Sequence, residues 1–256
     1  HFPEGFNFEE IESVPETTGL FTFYGLESQP VYVCRTKNLR NSILSYFKIP
    51  LQQQKVQWIH SLTSFTFQEF PSEMSAMLIE SKLVLEHQPV RNKAIKLYKN
   101  RFGLYLQEDE NGYIELKIIE IKQTIECPII KFNSLNRANK YLSQFYEKIN
   151  LNEKHKNNFS HKDYNQIIQT SLRNITYPYQ NCWIIESKSY DQKSIVYNIQ
   201  DYELKGYAFI NNLQRNDMED FSEQMQEIVE TSDLRRSFLQ FIRHKKSSLE
   251  IIELNN

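Results

Sequence analysis

The sequence predicts an α/β protein in two parts: a small three-stranded sheet flanked by helices, followed by a second domain of α+β type. Three observations lead there. Between residues 15 and 95 the signals run strand, strand, helix, short helix, strand, helix, the order of a small sheet covered by helices. After Gly103 the pattern changes to a strong hairpin signal, two amphipathic helices and a set of alternating strands. The composition, with 17 Phe and 15 Tyr but only six Gly, suits aromatic-filled cores and argues against a Gly-rich nucleotide loop. Residues 1–14 are expected as a linker or N-terminal arm, 15–95 as the first domain and 96–256 as the second.

Each element has a local cause. Gly19 to Tyr24 and Val31 to Cys34 alternate as strands and are joined by a loop, so they form a hairpin. Asn38 is a good helix N-cap, and Leu39, Ile43, Tyr46 and Phe47 follow at helical spacing until Pro50 stops them. Gln54 to His60 reads as a short helix and Ser64 to Phe67 as a third strand. Ser72 caps a helix to about Glu86, with Ala76, Met77, Ile79, Leu83 and Val84 supplying its apolar side, and Gln88-Pro89 ends it. In the second domain Leu104–Leu106 and Tyr113–Ile119 flank Glu110-Asn111-Gly112, a hairpin turn. Ser134 and Ser160 open two helices. Trp183–Ile185, Ser194–Ile199 and Gly206–Ile210 read as three antiparallel strands. Met218–Glu230 reads as a helix, Ser232 as the cap of the last helix, and Leu249–Leu254 as a final strand.

Hydrophobic residues at 40% and charged residues at 24% of 256 place the chain among folded proteins. No apolar run is long enough to span a bilayer, so no membrane partner is expected. The chain opens on His1 with no secretory leader pattern, which fits a piece of a longer protein. Cys34, Cys127 and Cys182 are too few and too scattered for a disulfide framework or a cysteine-rich zinc site, and a cytoplasmic location is the simpler reading.

The net charge of -2 excludes a globally basic nucleic-acid binder but hides a pattern. The first 34 residues carry six acids and no Lys or Arg. Residues 28–68 carry no acid, and Arg35, Lys37, Arg40, Lys48 and Lys55 are all basic. A second acid-free block, 91–103, holds Arg91, Lys93, Lys96, Lys99 and Arg101. Two such blocks suit phosphate neutralisation, or else two solvated faces.

Four separated motifs add a resemblance. Thr18-Gly19-Leu20-Phe21, then Tyr32-Val33-Cys34-Arg35-Thr36-Lys37, then Met77-Leu78-Ile79-Glu80-Ser81-Lys82-Leu83, then Pro89-Val90-Arg91-Asn92 resemble, in order and spacing, the GIY-YIG nuclease module. They are most similar to its form in excision-repair endonucleases and in fusions with a DNA polymerase III epsilon-like exonuclease. The resemblance implies DNA as partner, an exonuclease domain upstream or another protein partner, and Mg²⁺ or Mn²⁺ at Glu80. It assigns catalytic positions to Tyr32, Arg35, Tyr46 and Glu80. It places Arg35, Lys37, Arg40, Arg91, Asn92 and Lys93 around the site as nucleic-acid-binding residues.

The motif is degenerate. Phosphodiester hydrolysis needs a proton-handling group, a cation on the phosphate and positive charge for the transition state. The first motif's tyrosine is Phe21, the helix arginine is Ser42, and the second motif's glycine is Cys34. Arg40 lies about 200° around the helix from Ser42 and cannot easily replace it. Losing one charge donor costs about 10²–10³ in rate, and losing the phenol about 10²–10⁴ more. The expectation is a DNA-processing or DNA-binding protein with an impaired or lost nuclease site. Two alternatives stay open: an active metal-dependent endonuclease with a rearranged site, and a scaffold or interaction module that kept only the fold. In the second domain, the basic cluster Arg235, Arg236, Arg243, Lys245 and Lys246 suits the dipole of the last helix.

Overall fold

The structure is a computed structural model that describes residues 8–48, 54–123, 126–151, 156, 158–187, 193–211, 221 and 223–254. A short helix α1 (Phe8–Glu12) precedes β1 (Gly19–Tyr24), β2 (Pro30–Thr36), α2 (Leu39–Phe47), a 3-10 turn (Gln54–Ser61), β3 (Ser64–Glu69) and α3 (Glu73–His87). β1 is the centre of an antiparallel sheet ordered β2-β1-β3, which leaves β2 and β3 as edges. The fold is that of a GIY-YIG-type sheet flanked by helices, followed by a further α+β region.

The two faces of this sheet go to different cores. Phe21 and Phe23 pair across to Cys34 and Tyr32 and share a face. That face packs on Leu39 and Ile43 of α2 and on Ile59, Leu62 and Phe65. Leu20 and Val33 point the other way, onto α3. Gly19 sets the approach of α2, because a Cβ there would lie 2.5 Å from the Gln68 carbonyl oxygen and 2.6 Å from Leu39 Cδ1. Residues 8–14, expected as linker or arm, pack into the first core: Ile11 and Val14 are fully buried. Arg40 holds this segment, donating to the Val14 carbonyl at 2.7 Å and pairing with Glu16 at 2.8 Å.

The second region adds β4 (Phe102–Glu108), β5 (Ile114–Glu120), β6 (Ile130–Phe132), α4 (Leu135–Lys148), α5 (His161–Leu172), β7 (Cys182–Ser187), β8 (Lys193–Gln200), β9 (Glu203–Asn211), β10 (Gln226–Glu227), α6 (Ser232–Lys245) and β11 (Leu249–Glu253). One antiparallel sheet is ordered β5-β4-β6 and is covered by α4 and α5; β6 was not legible in the sequence. The other is ordered β10-β9-β8-β7-β11.

α3 lies between the two regions. Met74, Ser75, Ala76, Leu78, Ile79, Ser81 and Val84 are all buried, more than a single stripe. One core runs from Leu20 and Val33 through α3 to Tyr197, Tyr207 and Phe238. A helix with apolar residues around its circumference is a buried one. The side chain of Ser72, its N-cap, reaches across to Glu186 at 3.0 Å, and Tyr197 donates to the same carboxylate at 2.8 Å.

Two expectations are corrected. The helix expected over Met218–Glu230 ends early: Gln226 and Glu227 pair with Tyr207 and Gly206 as a strand, and Ile228 N–H donates to the Lys205 carbonyl. The open edge of β9 wins over helical periodicity there; residues 218–220 and 222 of that expectation lie outside the described residues. The last helix is capped one residue earlier than expected, by Thr231, whose hydroxyl accepts from Leu234 N–H at 3.1 Å. Among the described residues no helix is long and apolar enough to cross a membrane.

Candidate active site

β2 carries the site because it is an edge strand with outward backbone groups to satisfy. The turn after α3 supplies the partners. Arg91 N–H donates to the Val31 carbonyl at 3.0 Å. The Asn92 amide then clasps Val33: its Oδ1 accepts from Val33 N–H at 2.8 Å and its Nδ2 donates to Val33 O at 2.7 Å. Two residues further on, Arg35 N–H points at Glu80 Oε1 at 3.4 Å, and the Arg35 guanidinium forms an ion pair with Glu80 Oε2. Asn92, expected to touch nucleic acid, therefore has both amide groups on the backbone of β2.

On the α2 side the site is an aromatic cluster. Tyr46 of α2 donates to the Tyr32 hydroxyl at 3.2 Å. Their rings lie 5.7 Å apart, and Phe21 meets them at 6.0 Å and 6.4 Å. Phe21 is fully buried. Trp58 closes the cluster at 5.8 Å from Tyr32, and the Arg91 guanidinium sits 5.5 Å over the indole. Ser42, one helical turn before Tyr46, uses its hydroxyl on Thr36 Oγ1 at 2.5 Å, at the end of β2.

The Cys34 thiol stands between the two halves, donating to the Arg35 carbonyl at 3.3 Å. Burial raises the Tyr32 and Tyr46 phenols above their ordinary values. Burial also raises the Cys34 thiol. All three are protonated at neutral pH, so the cluster offers hydrogen-bond donors and no resident anion except Glu80.

The remaining expected residues are dispersed. Lys37 pairs with Glu73 at 3.3 Å, both well exposed. Arg40 belongs to the α1 contact described above. Lys93 is exposed. The unbroken run of cations in the sequence is thus partly neutralised in space. Sequence reasoning missed the clasp of Asn92, the seat of Arg91 on Trp58, and Trp58 itself; a tryptophan within an acid-free block was the one signal available.

The donor set for a metal is a single carboxylate. Among the described residues no group of three His, Cys, Asp or Glu is placed to hold an ion. One carboxylate suits an ion held mainly by water and substrate phosphate, but a cation would have to displace the Arg35 guanidinium first.

Residues 17–93 match the family model described as the UvrC-like GIY-YIG domain. This stretch is a GIY-YIG domain homologous to those of the excinucleases. UvrABC system protein C of Dictyoglomus thermophilum is 30% identical over 89 residues, 34% of this chain and 14% of that protein. Excinuclease cho of Shigella flexneri is 23% identical over 120 residues, 44% of this chain and 38% of that protein. The chain thus spans well under half the length of these relatives. The solved GIY-YIG N-terminal endonuclease domain of UvrC from Thermotoga maritima, bound to magnesium as its catalytic divalent cation, is 26% identical; the match covers 33% of this chain and 93% of that one at a TM-score of 0.30. The family match ends at residue 93, so Asn92 falls at its last positions.

Proposed function

We propose that the GIY-YIG domain binds DNA and that its nuclease site is impaired or lost. One observation carries this: the Tyr32–Tyr46 pair is kept, while the neighbouring positions offer a fully buried Phe21 ring without a hydroxyl and a Ser42 hydroxyl committed to Thr36. The group that would balance transition-state charge from α2 is missing. Mg²⁺ or Mn²⁺ at Glu80 would polarise a phosphate, and Arg35 competes for that carboxylate. An upstream exonuclease domain and a cytoplasmic setting belong to the same reading.

A second reading, an active endonuclease with a rearranged site, draws on Arg91. Its guanidinium stands over Trp58, which packs on Tyr32 and Tyr46. Pro89-Val90-Arg91-Asn92 resembles the module's Pro-x-Tyr-Asn segment with arginine in place of the tyrosine, so an arginine is lost at 42 and one is gained here. Plasmid and branched DNA incubated with Mg²⁺ or Mn²⁺ separate the readings. The first expects salt-sensitive binding without nicking. Nicking abolished by both Glu80→Gln and Arg91→Ala establishes the second. Absence of DNA binding at low salt removes both and leaves a scaffold.

A further inference from the structure

The second acid-free block leads out of the GIY-YIG domain. Its first residues, Arg91 and Asn92, cover β2. Residues 96–100 then line a cleft of about 870 Å³, whose other walls are β6, α4 and α6. None of its lining residues belongs to the Tyr32–Glu80 site. The volume is in the upper part of the ~300–1,000 Å³ range of ligand clefts.

The cleft is strongly basic in a chain of net charge -2. Eight Lys and Arg line it against two carboxylates. Both carboxylates are already spent: Glu203 pairs with Lys131 at 2.5 Å, and Glu230 with Arg235 at 3.0 Å. Arg235 is part of the floor, donating to the carbonyls of Tyr202 and Ile129 as well. Lys96, Lys99, Arg137, Lys148 and Arg243 have no carboxylate at ion-pair distance among the described residues, and all five are exposed. Arg235, Arg236 and Arg243 of the last helix, which the helix dipole accounts for in the sequence, here share the cleft with cations from residues 96–100, β6 and α4.

The apolar content of the cleft has a particular form. Tyr98 is 58% exposed, and the Arg137 guanidinium lies 5.7 Å from its ring centre. Tyr141 stands beside Phe132 at 5.3 Å in the wall. An open aromatic face backed by a guanidinium and set among unpaired cations is a platform for bases flanked by phosphates. An acidic peptide would use the cations and have no need of the flat ring.

We infer that this cleft binds a single-stranded nucleic acid, with phosphates on Lys96, Lys99 and Arg243 and a base stacked on Tyr98. The site is additional to the GIY-YIG domain and does not depend on cleavage there. The test is fluorescence anisotropy of the whole chain with a fluorescein-labelled oligothymidylate across a salt series. Lys96→Glu with Lys99→Glu is expected to weaken binding at least about tenfold and to flatten the log–log salt slope by about 1.4. Tyr98→Ala, which changes no charge, is expected to weaken it about fivefold or more. Oligothymidylate is also expected to shield Lys96 and Lys99 of the unaltered chain from amine acetylation, a readout that needs no variant to fold. Unchanged binding in the double variant, or unshielded lysines at saturation, overturns the site. A normal Tyr98→Ala titration with equal competition by polyglutamate overturns the nucleic-acid assignment in favour of acidic protein. Loss of binding in Arg91→Glu alone, with the cleft variants normal, overturns the cleft while leaving the GIY-YIG reading standing.

Discussion

The guanidinium of Arg35 closes on the carboxylate of Glu80, and the Arg35 backbone N–H points at the same carboxylate. The group that the resemblance assigns to a metal is therefore also the outer partner of an edge strand. Side-chain exposure is 41% for Arg35 and 19% for Glu80, so the pair is open to exchange. Removing the guanidinium should free the carboxylate. Arg35→Gln is expected to bind Mn²⁺ more tightly than the unaltered chain, and Arg35→Gln with Glu80→Gln not at all, by electron paramagnetic resonance of free Mn²⁺. Equal binding in all three would remove Glu80 from the metal reading.

Asn92 separates a structural role from a nucleic-acid contact. Its amide satisfies both backbone groups of Val33, which is almost fully buried. Asn92→Ala leaves a buried donor and acceptor unpaired, at about 1–3 kcal/mol for each unsatisfied group. Urea unfolding should show a loss of about 2–6 kcal/mol, and the Val33 amide should exchange faster with solvent. Weaker DNA binding with unchanged stability would instead make Asn92 a DNA contact.

Arg91 offers an optical probe. A guanidinium over an indole perturbs its emission, and a phosphate that draws Arg91 away should alter that signal. DNA is expected to change tryptophan fluorescence in the unaltered chain but not in Trp58→Phe, which leaves only Trp183. A signal that persists in Trp58→Phe would place the DNA elsewhere.

Much of the GIY-YIG domain was legible because its signals are local. Asn38 and Ser72 cap their helices through side chains, and Phe21 and Phe23 alternate onto one core. The single apolar side expected for α3 did not foretell the burial of Met74, Ser75, Leu78 and Ser81, which a second sheet helps to provide. What stayed hidden depends on contacts distant in sequence. The clasp of Asn92 on Val33 spans 59 residues and the Arg35–Glu80 pair spans 45. Neither leaves a periodicity. Gln226 and Glu227 become a strand because β9 has a free edge, a property of the assembled sheet.

Alkaline pH should unfold the chain early. Burial raises the Cys34 thiol, and pushes Cys182 up to about 12. Buried Tyr177 and Tyr197 are raised as well. The folded state holds these protons more tightly than the unfolded one. Their contribution is whole below about pH 9, the ordinary thiol value, and is lost as pH rises through the folded values. Urea midpoints should hold from pH 7 to about 9 and fall beyond it. Cys182→Ala should reduce that fall, and a pH-independent midpoint up to about pH 11 would contradict the burial assignment.

Restoring the lost groups tests whether the site has decayed or been rebuilt. Phe21→Tyr is the least simple of the changes. The ring is fully buried between Phe23, Tyr32 and Tyr46, so its new hydroxyl must find one of those phenols or remain unpaired. The single variant should lose about 1–2 kcal/mol in urea unfolding. Ser42→Arg forfeits the hydrogen bond to Thr36 but projects a guanidinium from the helix face that carries Tyr46, toward the end of β2. Cys34→Gly opens space beside Tyr32 for that guanidinium. The triple variant is expected to nick plasmid DNA with Mg²⁺ or Mn²⁺, and Glu80→Gln in the same background should abolish it. Phe21→Tyr with Cys34→Gly should stay near background, because the transition-state charge would still lack its donor. A folded triple variant without nicking means that Arg35 on Glu80 and Arg91 on Trp58 have fixed the groove in another arrangement. The function of the GIY-YIG domain is then to be sought in binding or assembly rather than in cutting.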